Sequence, residues 1–352
     1  MTVFNLYQRH FKVITQPNSM TKSTNTQHLM SHMKFSFERY ALAPEAVKTQ
    51  ITDLLNTLHL KRIGDNVFEG PSFDYVGPRV FGGQVLAQAL LAGANTLTID
   101  KPCHSLHGYF LRGGDIRLPV VYQVRRLRDG RSLSAREVIA VQYVPTTDKN
   151  GNHTTNEQVI FSMIASFSPM EGGLDYQETM PDYPPPESLK TEQELKADYL
   201  HKIPEPLKAR FMRQRHVEIR PVTPRDPVTP KPERPRQANW VRIADIGEQP
   251  VAIHQALLAF VSDYYLVSTG LMSHGLSLMT QGLQMASIDH SIHFHRPFDM
   301  TEYLLYDMWS DTTSHAKGLN HGQFWQDGKL IASTQQEGLM RLHDDPSIFT
   351  SS

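Results

Sequence analysis

Leu106-His107-Gly108-Tyr109-Phe110-Leu111-Arg112, followed by Asp115, has a counterpart later in the chain: Ile288-Asp289-His290, then Phe294-His295-Arg296 and Asp299. Outward from each copy the same order of residue types recurs. An apolar helical run precedes each, at residues 85–97 and 251–270, and a β-rich region follows. In the first region Val120-Val121-Tyr122, Val138-Ile139 and Val159-Ile160-Phe161 are β-branched or aromatic clusters, punctuated by the turn dipeptides Asp129-Gly130 and Asn150-Gly151. The second region, residues 287–342, has its own Asp327-Gly328 turn, and its His315-Ala316-Lys317 lines up with Ser134-Ala135-Arg136. An internal duplication is the economical reading. It predicts two α+β units, each a long helix wrapped by an antiparallel meander, with sheets that could join edge to edge.

A length of 352 residues fits about two such units. The 35 basic and 36 acidic residues leave a formal charge of -1, so no global field directs the chain to nucleic acid or to a membrane surface. The single cysteine, Cys103, cannot form an internal disulfide, which fits a reducing compartment. No run approaches the ~20 consecutive apolar residues of a membrane span.

The expected organisation is a flexible extension at 1–37, a first unit at 38–175, a proline-rich connector at 176–237, a second unit at 238–345 and a tail at 346–352. Residues 1–37 contain no Asp or Glu, a weak mitochondrial signature, but they lack a clear amphipathic period. The last residues, Phe349-Thr350-Ser351-Ser352, are not a peroxisomal address, so the cytoplasm is the expected location. An amphipathic helix at 43–60, with Val47, Ile51, Leu54, Leu55 and Leu58 at helical spacing, opens the first unit. The connector carries Pro184-Pro185-Pro186 and six prolines from Pro221 to Pro235. Within it, 192–215 reads as a charged surface helix. The five basic residues of 220–236 read as solvated charge on an extended segment, in preference to a phosphate-binding patch.

Several reactive motifs are missing: Gly-x-Ser-x-Gly, the phosphate loop and His-Glu-x-x-His. His290, His293 and His295 are the most metal-like group, but a strand supplies two ligands on one face where zinc wants three or four, so no metal is expected. Phe81-Gly82-Gly83-Gln84 precedes the first apolar helix. Its glycines allow positive φ and close backbone approach, and the unpaired first-turn amides there form a candidate oxyanion hole. Asp263 interrupts the second apolar helix, where an ionised carboxylate is costly unless partnered, and burial there would raise its pKa. Ser287 and Gln336 are two further polar groups in stretches that should be buried.

Taken together, Val80-Phe81-Gly82-Gly83-Gln84, His104-Ser105-Leu106-His107-Gly108-Tyr109-Phe110-Leu111-Arg112, Ser262-Asp263-Tyr264, Ile288-Asp289-His290-Ser291, Phe294-His295-Arg296-Pro297-Phe298, Ala332-Ser333-Thr334 and Gln336-Glu337-Gly338 resemble the acyl-CoA thioesterase II family. The resemblance spans about residues 45–345 in order. It implies a double hotdog fold and hydrolysis of acyl-CoA to fatty acid and CoA. It also implies an Asp, a Ser or Thr and a Gln acting together, at Asp263, Ser287 and Gln336, without a cofactor. A homo-oligomer, dimer or tetramer, is implied as well.

That chemistry agrees with the residues. Thioester hydrolysis needs an activated water, a means of orienting it and donors for the oxyanion. Asp263 can accept the proton, Ser287 can orient the water, and Gln336 can donate to water or to the carbonyl oxygen. Whether Gly82 and Gly83 or Gln336 serve the oxyanion stays open at this level. The first half has no matching Asp on its helix, which predicts one site per chain. The rival readings are a non-catalytic acyl-CoA or acyl-carrier binding protein and a hotdog dehydratase or hydratase. The second would want a helix histidine near Asp263, and His254 lies more than two turns away. Met272, Met279 and Met285 are candidate adaptable walls for an acyl tunnel, with core filling the favoured role for each.

Overall fold

The computed structural model describes residues 51–75, 77, 79–99, 101–147 and 151–343. The extension at 1–37, the tail at 346–352 and the first half of the helix expected at 43–60 lie outside the described residues. The described part of that helix is α1 (Ile51–Leu58), which buries Leu54 and Leu58. Then come β1 (Lys61–Gly64), β2 (Val67–Gly70), α2 (Gly82–Ala94), β3 (Cys103–Phe110), β4 (Val120–Asp129), β5 (Ser134–Thr147) and β6 (His153–Phe167). Two short helices, α3 (Glu192–Tyr199) and α4 (Glu205–Phe211), lead to β7 (Glu218–Pro221). The second half is β8 (Arg236–Arg242), α5 (Val251–Ser262), β9 (Leu283–Ser287), β10 (Asp289–Phe294), β11 (Leu304–Ser314), β12 (Lys317–Gln326) and β13 (Lys329–Leu342).

The strands form one antiparallel sheet in the order β1-β2-β4-β5-β6-β3-β10-β13-β12-β11-β8-β7, with β9 also paired to β13. This order reads the same from both ends once β2 is matched to β8 and β4, β5, β6 and β3 to β11, β12, β13 and β10. Each half is a hotdog, an antiparallel sheet curved around one helix, and the two join where His107 on β3 faces Ser291 on β10. The duplication extends to single hydrogen bonds. The amides of Leu111 and Arg112 both donate to the Ile160 carbonyl, and those of His295 and Arg296 both donate to Ile331. Arg112 and Arg296 each reach the carbonyl one residue earlier, of Val159 and of Leu330.

One expected match fails. Ser134-Ala135-Arg136 opens β5, whereas His315 and Ala316, at φ 49° and 58°, make the turn between β11 and β12. The Asp327-Gly328 turn forms as its sequence requires, with φ of 51° and 74°.

Every residue of α2 from Gly83 to Gly93 is buried, because sheet wraps one side of the helix and α5 covers the other. Its polar Gln88 is tolerated there because Nε2 donates to the Thr57 carbonyl and Oε1 accepts from the Tyr122 hydroxyl. A β-carbon on Gly83 would lie 2.3 Å from the Phe260 carbonyl oxygen of α5. Close approach of two backbones is therefore what demands glycine. The positive φ that the sequence also allowed is not used at Gly82 or Gly83. The main hydrophobic core runs through both halves, from Leu54 and Phe161 to Phe260 and Ala332, and a smaller cluster gathers Ala238, Leu305 and Trp325.

Two expectations need correction. The helix predicted at 251–270 stops at Ser262, and Asp263 caps it instead of interrupting it. Tyr265 then turns left-handed at φ 66°, and a short 3-10 helix runs from Val267 to His274. An aromatic residue in that conformation costs roughly 1 kcal/mol or more. It is held by the Tyr265 hydroxyl bond to Glu192 and by Gln237, which donates to the Tyr265 carbonyl at 3.3 Å. The connector is likewise not a solvated strap. Glu192 is ion-paired with Lys196 and Arg215 at 3.2 Å, and Arg220, Arg225 and Arg236 pair with Glu218, Glu233 and Asp307. The stretch 251–274 is long and apolar enough for a membrane crossing, but in the fold it is a buried core element broken after Asp263.

Candidate active site

Where α5 ends, the Asp263 carboxylate faces the start of α2. The Gly83 N–H donates to Oδ2 at 2.9 Å. On β13, Gln336 is fully buried, and its Nε2 donates to Asp263 Oδ1 and to Ser287 Oγ, both at 2.8 Å. Ser287 is half-buried at the end of β9, opposite Gly338. The strand breaks at Ile288 and resumes at Asp289, whose Oδ1 accepts from the Glu337 amide at 2.6 Å. The three residues expected to act together do meet, and they meet across the join of the halves. The second half supplies the side chains and the first half supplies the helix terminus.

Local sequence explains the terminus. Phe81 is the N-cap but has no capping side chain, so the first-turn amides of α2 are free for other partners. The Gln84 and Val85 amides turn back to the Phe81 carbonyl, the Gly83 amide goes to Asp263, and Gly82 is left as the free first-turn donor. A β-carbon on Gly82 would lie 2.7 Å from Asp263 Oδ2 and 3.1 Å from Phe110 Cζ, so glycine keeps this approach open. The Phe81 ring stacks on Tyr264 at 4.9 Å and meets Phe260 edge-on at 5.1 Å, which locks both segments that carry the site.

Only 6% of the Asp263 side chain is exposed. Burial pushes its pKa up from 3.8 to about 6, against the pull of hydrogen bonds from Gln336, Gly83 and Ser287. Gln336 presents its amide nitrogen because an amide oxygen facing a carboxylate would be repelled. Both of its N–H groups are thereby committed. Gln336 is thus an anchor for Asp263 and Ser287, and it does not donate to a substrate carbonyl in this arrangement.

The mirrored position in the first half is different. Cys103 lies eight residues before Leu111, as Ser287 lies eight before His295, and Ala165 follows Ile160 by the same five residues that separate Gln336 from Ile331. Asn95 caps α2 where Asp263 caps α5. The mirrored set therefore holds no carboxylate. Gln255 clasps the Cys103 backbone there, with Oε1 accepting from its amide at 2.9 Å and Nε2 donating to its carbonyl at 2.7 Å.

The three histidines considered for a metal are split by the sheet. His290 points into the core, while His293 and His295 lie exposed on the outer face. Among the described residues, no group of three His, Cys, Asp or Glu side chains is placed to hold a metal ion. Met272 is buried in the 3-10 helix and Met285 lies on β9, two residues before Ser287. Sequence reasoning missed Arg215, whose guanidinium sits 4.3 Å over the Tyr264 ring and ties the connector to the residue after Asp263. Its only local signal was a charged residue in a connector rich in them.

A buried carboxylate held by a backbone amide and a glutamine, at the join of two hotdog halves, marks a double-hotdog protein with an acid-centred cluster among its described residues. The chain matches the acyl-CoA thioesterase family over residues 206–339 and that family's N-terminal domain over residues 71–168. It belongs to the acyl-CoA thioesterase family. It is 38% identical to acyl-CoA thioesterase 2 of Haemophilus influenzae, over 84% of this chain and 99% of that one. Human acyl-coenzyme A thioesterase 8 is 35% identical over 81% of this chain and 88% of its own length. Among solved structures, the acyl-CoA thioesterase II TesB2 of Mycobacterium marinum superposes with a TM-score of 0.63 at 32% identity, over 83% of this chain and 98% of that one.

Proposed function

We propose that this chain hydrolyses acyl-CoA thioesters to the free acid and CoA, with Asp263 as the general base of a single site. The observation that supports this reading best is the buried carboxylate fixed on both oxygens beside a free helix-terminal amide. In the reaction, water gives a proton to Asp263 while its oxygen bonds to the thioester carbon and the carbonyl electron pair moves to oxygen. That oxyanion is received by the Gly82 N–H at the positive end of α2. Collapse breaks the carbon–sulfur bond, and the proton on Asp263 passes to the CoA sulfur. No acyl-enzyme forms. Ser287 accepts from Gln336, which leaves its own hydrogen for Asp263 or the incoming water. The mirrored set has no acid, so one site per chain is expected.

The rival is a protein that binds acyl-CoA without cleaving it. A binder gains nothing from an acid whose burial costs stability. The test is release of free thiol from a panel of acyl-CoAs, acetyl to palmitoyl, with EDTA present. Turnover with a chain-length optimum is the expected result. Saturable binding without turnover on any member would overturn it.

A further inference from the structure

His290, on β10, is fully buried beside the end of α5 that carries Asp263. Its Nε2 stands 2.9 Å from the hydroxyl of Ser262, the residue next to Asp263. That hydroxyl has one hydrogen, and it is donated to the Ala259 carbonyl at 2.8 Å. Ser262 Oγ must therefore accept from His290, so the proton of a neutral imidazole sits on Nε2. Nδ1 is left with a lone pair. It is buried without a hydrogen-bond partner, and Asp263 Oδ1 is 3.9 Å away.

Two acceptors thus face each other in a site from which water is largely excluded. Such a pair is repulsive while the carboxylate is charged and becomes favourable once the carboxylate carries a proton. Burial keeps the imidazole neutral by pushing its pKa down to about 3, with His107 adding to the effect. An imidazolium pairing with Asp263 is therefore not the resting arrangement.

Resting on the reading of Asp263 as the base, we propose that His290 is a positioning residue that raises the proton affinity of Asp263. Ser262 acts as the lock that holds the imidazole tautomer with its lone pair toward the carboxylate. The device strengthens the base while water is being deprotonated. The proton balance is that of the hydrolysis itself: Asp263 takes the proton from water and returns it to the CoA sulfur, and His290 neither gains nor loses one.

Other ionisable groups surround the pair. Tyr306 of β11 donates to the Ser262 carbonyl at 2.8 Å, Tyr264 follows Asp263, and both phenols are held well above neutrality by burial. Arg215 reaches this region through the Tyr264 ring, and Glu192 through Arg215. From β3, His107 pairs with Asp289 of β10 on the outer face at 2.9 Å. A His107→Gln variant serves as the control for that pair.

The experiment measures the acidic limb of kcat/KM for acyl-CoA hydrolysis in wild type, Ser262→Ala, His290→Phe, His107→Gln and Asp263→Asn. Alongside, ¹⁵N chemical shifts of the His290 ring report its tautomer. In wild type the shifts should report the Nε2–H form. Ser262→Ala removes the lock and lets the imidazole turn its N–H toward Asp263, which is then a weaker base. The limb should move to lower pH by about half a unit or more, with kcat falling several-fold. His290→Phe should move it in the same direction, and His107→Gln should leave it in place. A limb that stays put in both Ser262→Ala and His290→Phe, or an Nδ1–H tautomer in wild type, would overturn the inference. If His290→Phe fails to fold, Ser262→Ala and the tautomer decide alone. Asp263→Asn separates the two levels: wild-type hydrolysis there sinks the base assignment itself, whereas its loss with an unmoved limb elsewhere sinks only the role of His290.

Discussion

Burying Asp263 should leave a signature in stability as well as in catalysis. Its pKa rises from 3.8 to about 6 on folding. At about 1.4 kcal/mol per tenfold change, that lift corresponds to about 3 kcal/mol between the protonated and ionised forms. Below pH 3.8 the residue is protonated in both folded and unfolded chains and carries no penalty. Between pH 3.8 and about 6 the unfolded chain releases the proton first, so the native state loses stability as pH rises. Above that window the loss is complete and constant. Asp263→Asn cannot titrate, so the difference between wild-type and variant unfolding free energies should change by about 3 kcal/mol across the window, against wild type as pH increases. The variant's own offset, from an amide group facing the Gly83 N–H or Gln336, cancels because only the change with pH is read. Urea unfolding of both proteins at steps from pH 3.5 to 8 gives the number. Curves parallel to within about 0.5 kcal/mol would mean that Asp263 is hydrated in the native state, and the argument from burial would fail.

Three further outcomes follow from the same geometry. Gly83→Ala must part α2 from α5, because its β-carbon would meet the Phe260 carbonyl oxygen at 2.3 Å, and chemical denaturation should show a loss of about 2 kcal/mol or more. Gly82→Ala meets the Asp263 carboxylate instead, at 2.7 Å, so steady-state kinetics should show a drop in kcat larger than any loss in melting temperature. Gln336→Glu keeps the shape of the side chain but sets a second carboxylate against Asp263 Oδ1. The acidic limb of kcat/KM should move to higher pH and kcat should fall about a hundredfold, and an unchanged profile would remove Gln336 from the site.

Much of this architecture was legible because the chain states it twice. The Leu106–Arg112 segment and its copy ending at Arg296 fix the equivalence that the paired bonds to Ile160 and Ile331 display. Asp263, Ser287 and Gln336 were named from the family pattern, and the structure brings them within hydrogen-bond reach of one another. The end of α5 was not legible. Residues 251–270 are apolar throughout, and the helix breaks because Glu192 and Gln237, distant in sequence, hold Tyr265 left-handed. The part played by Gly83 was hidden for a similar reason: whether its amide serves a substrate or Asp263 depends on how two helices cross, which neither helix encodes alone. The charges of the connector looked solvated because their pairing depends on how the segment folds back: Arg215 meets Glu192 and Arg225 meets Glu233 within the connector, and Arg236 reaches Asp307 of β11.

The central claim, that Asp263 is the base that makes this fold a hydrolase, is tested most directly by free-thiol release from a saturating medium-chain acyl-CoA at pH 8, comparing wild type with Asp263→Asn. The account predicts a kcat about a thousandfold lower in the variant, with far-ultraviolet circular dichroism unchanged. A folded variant that turns over within about threefold of wild type would contradict it.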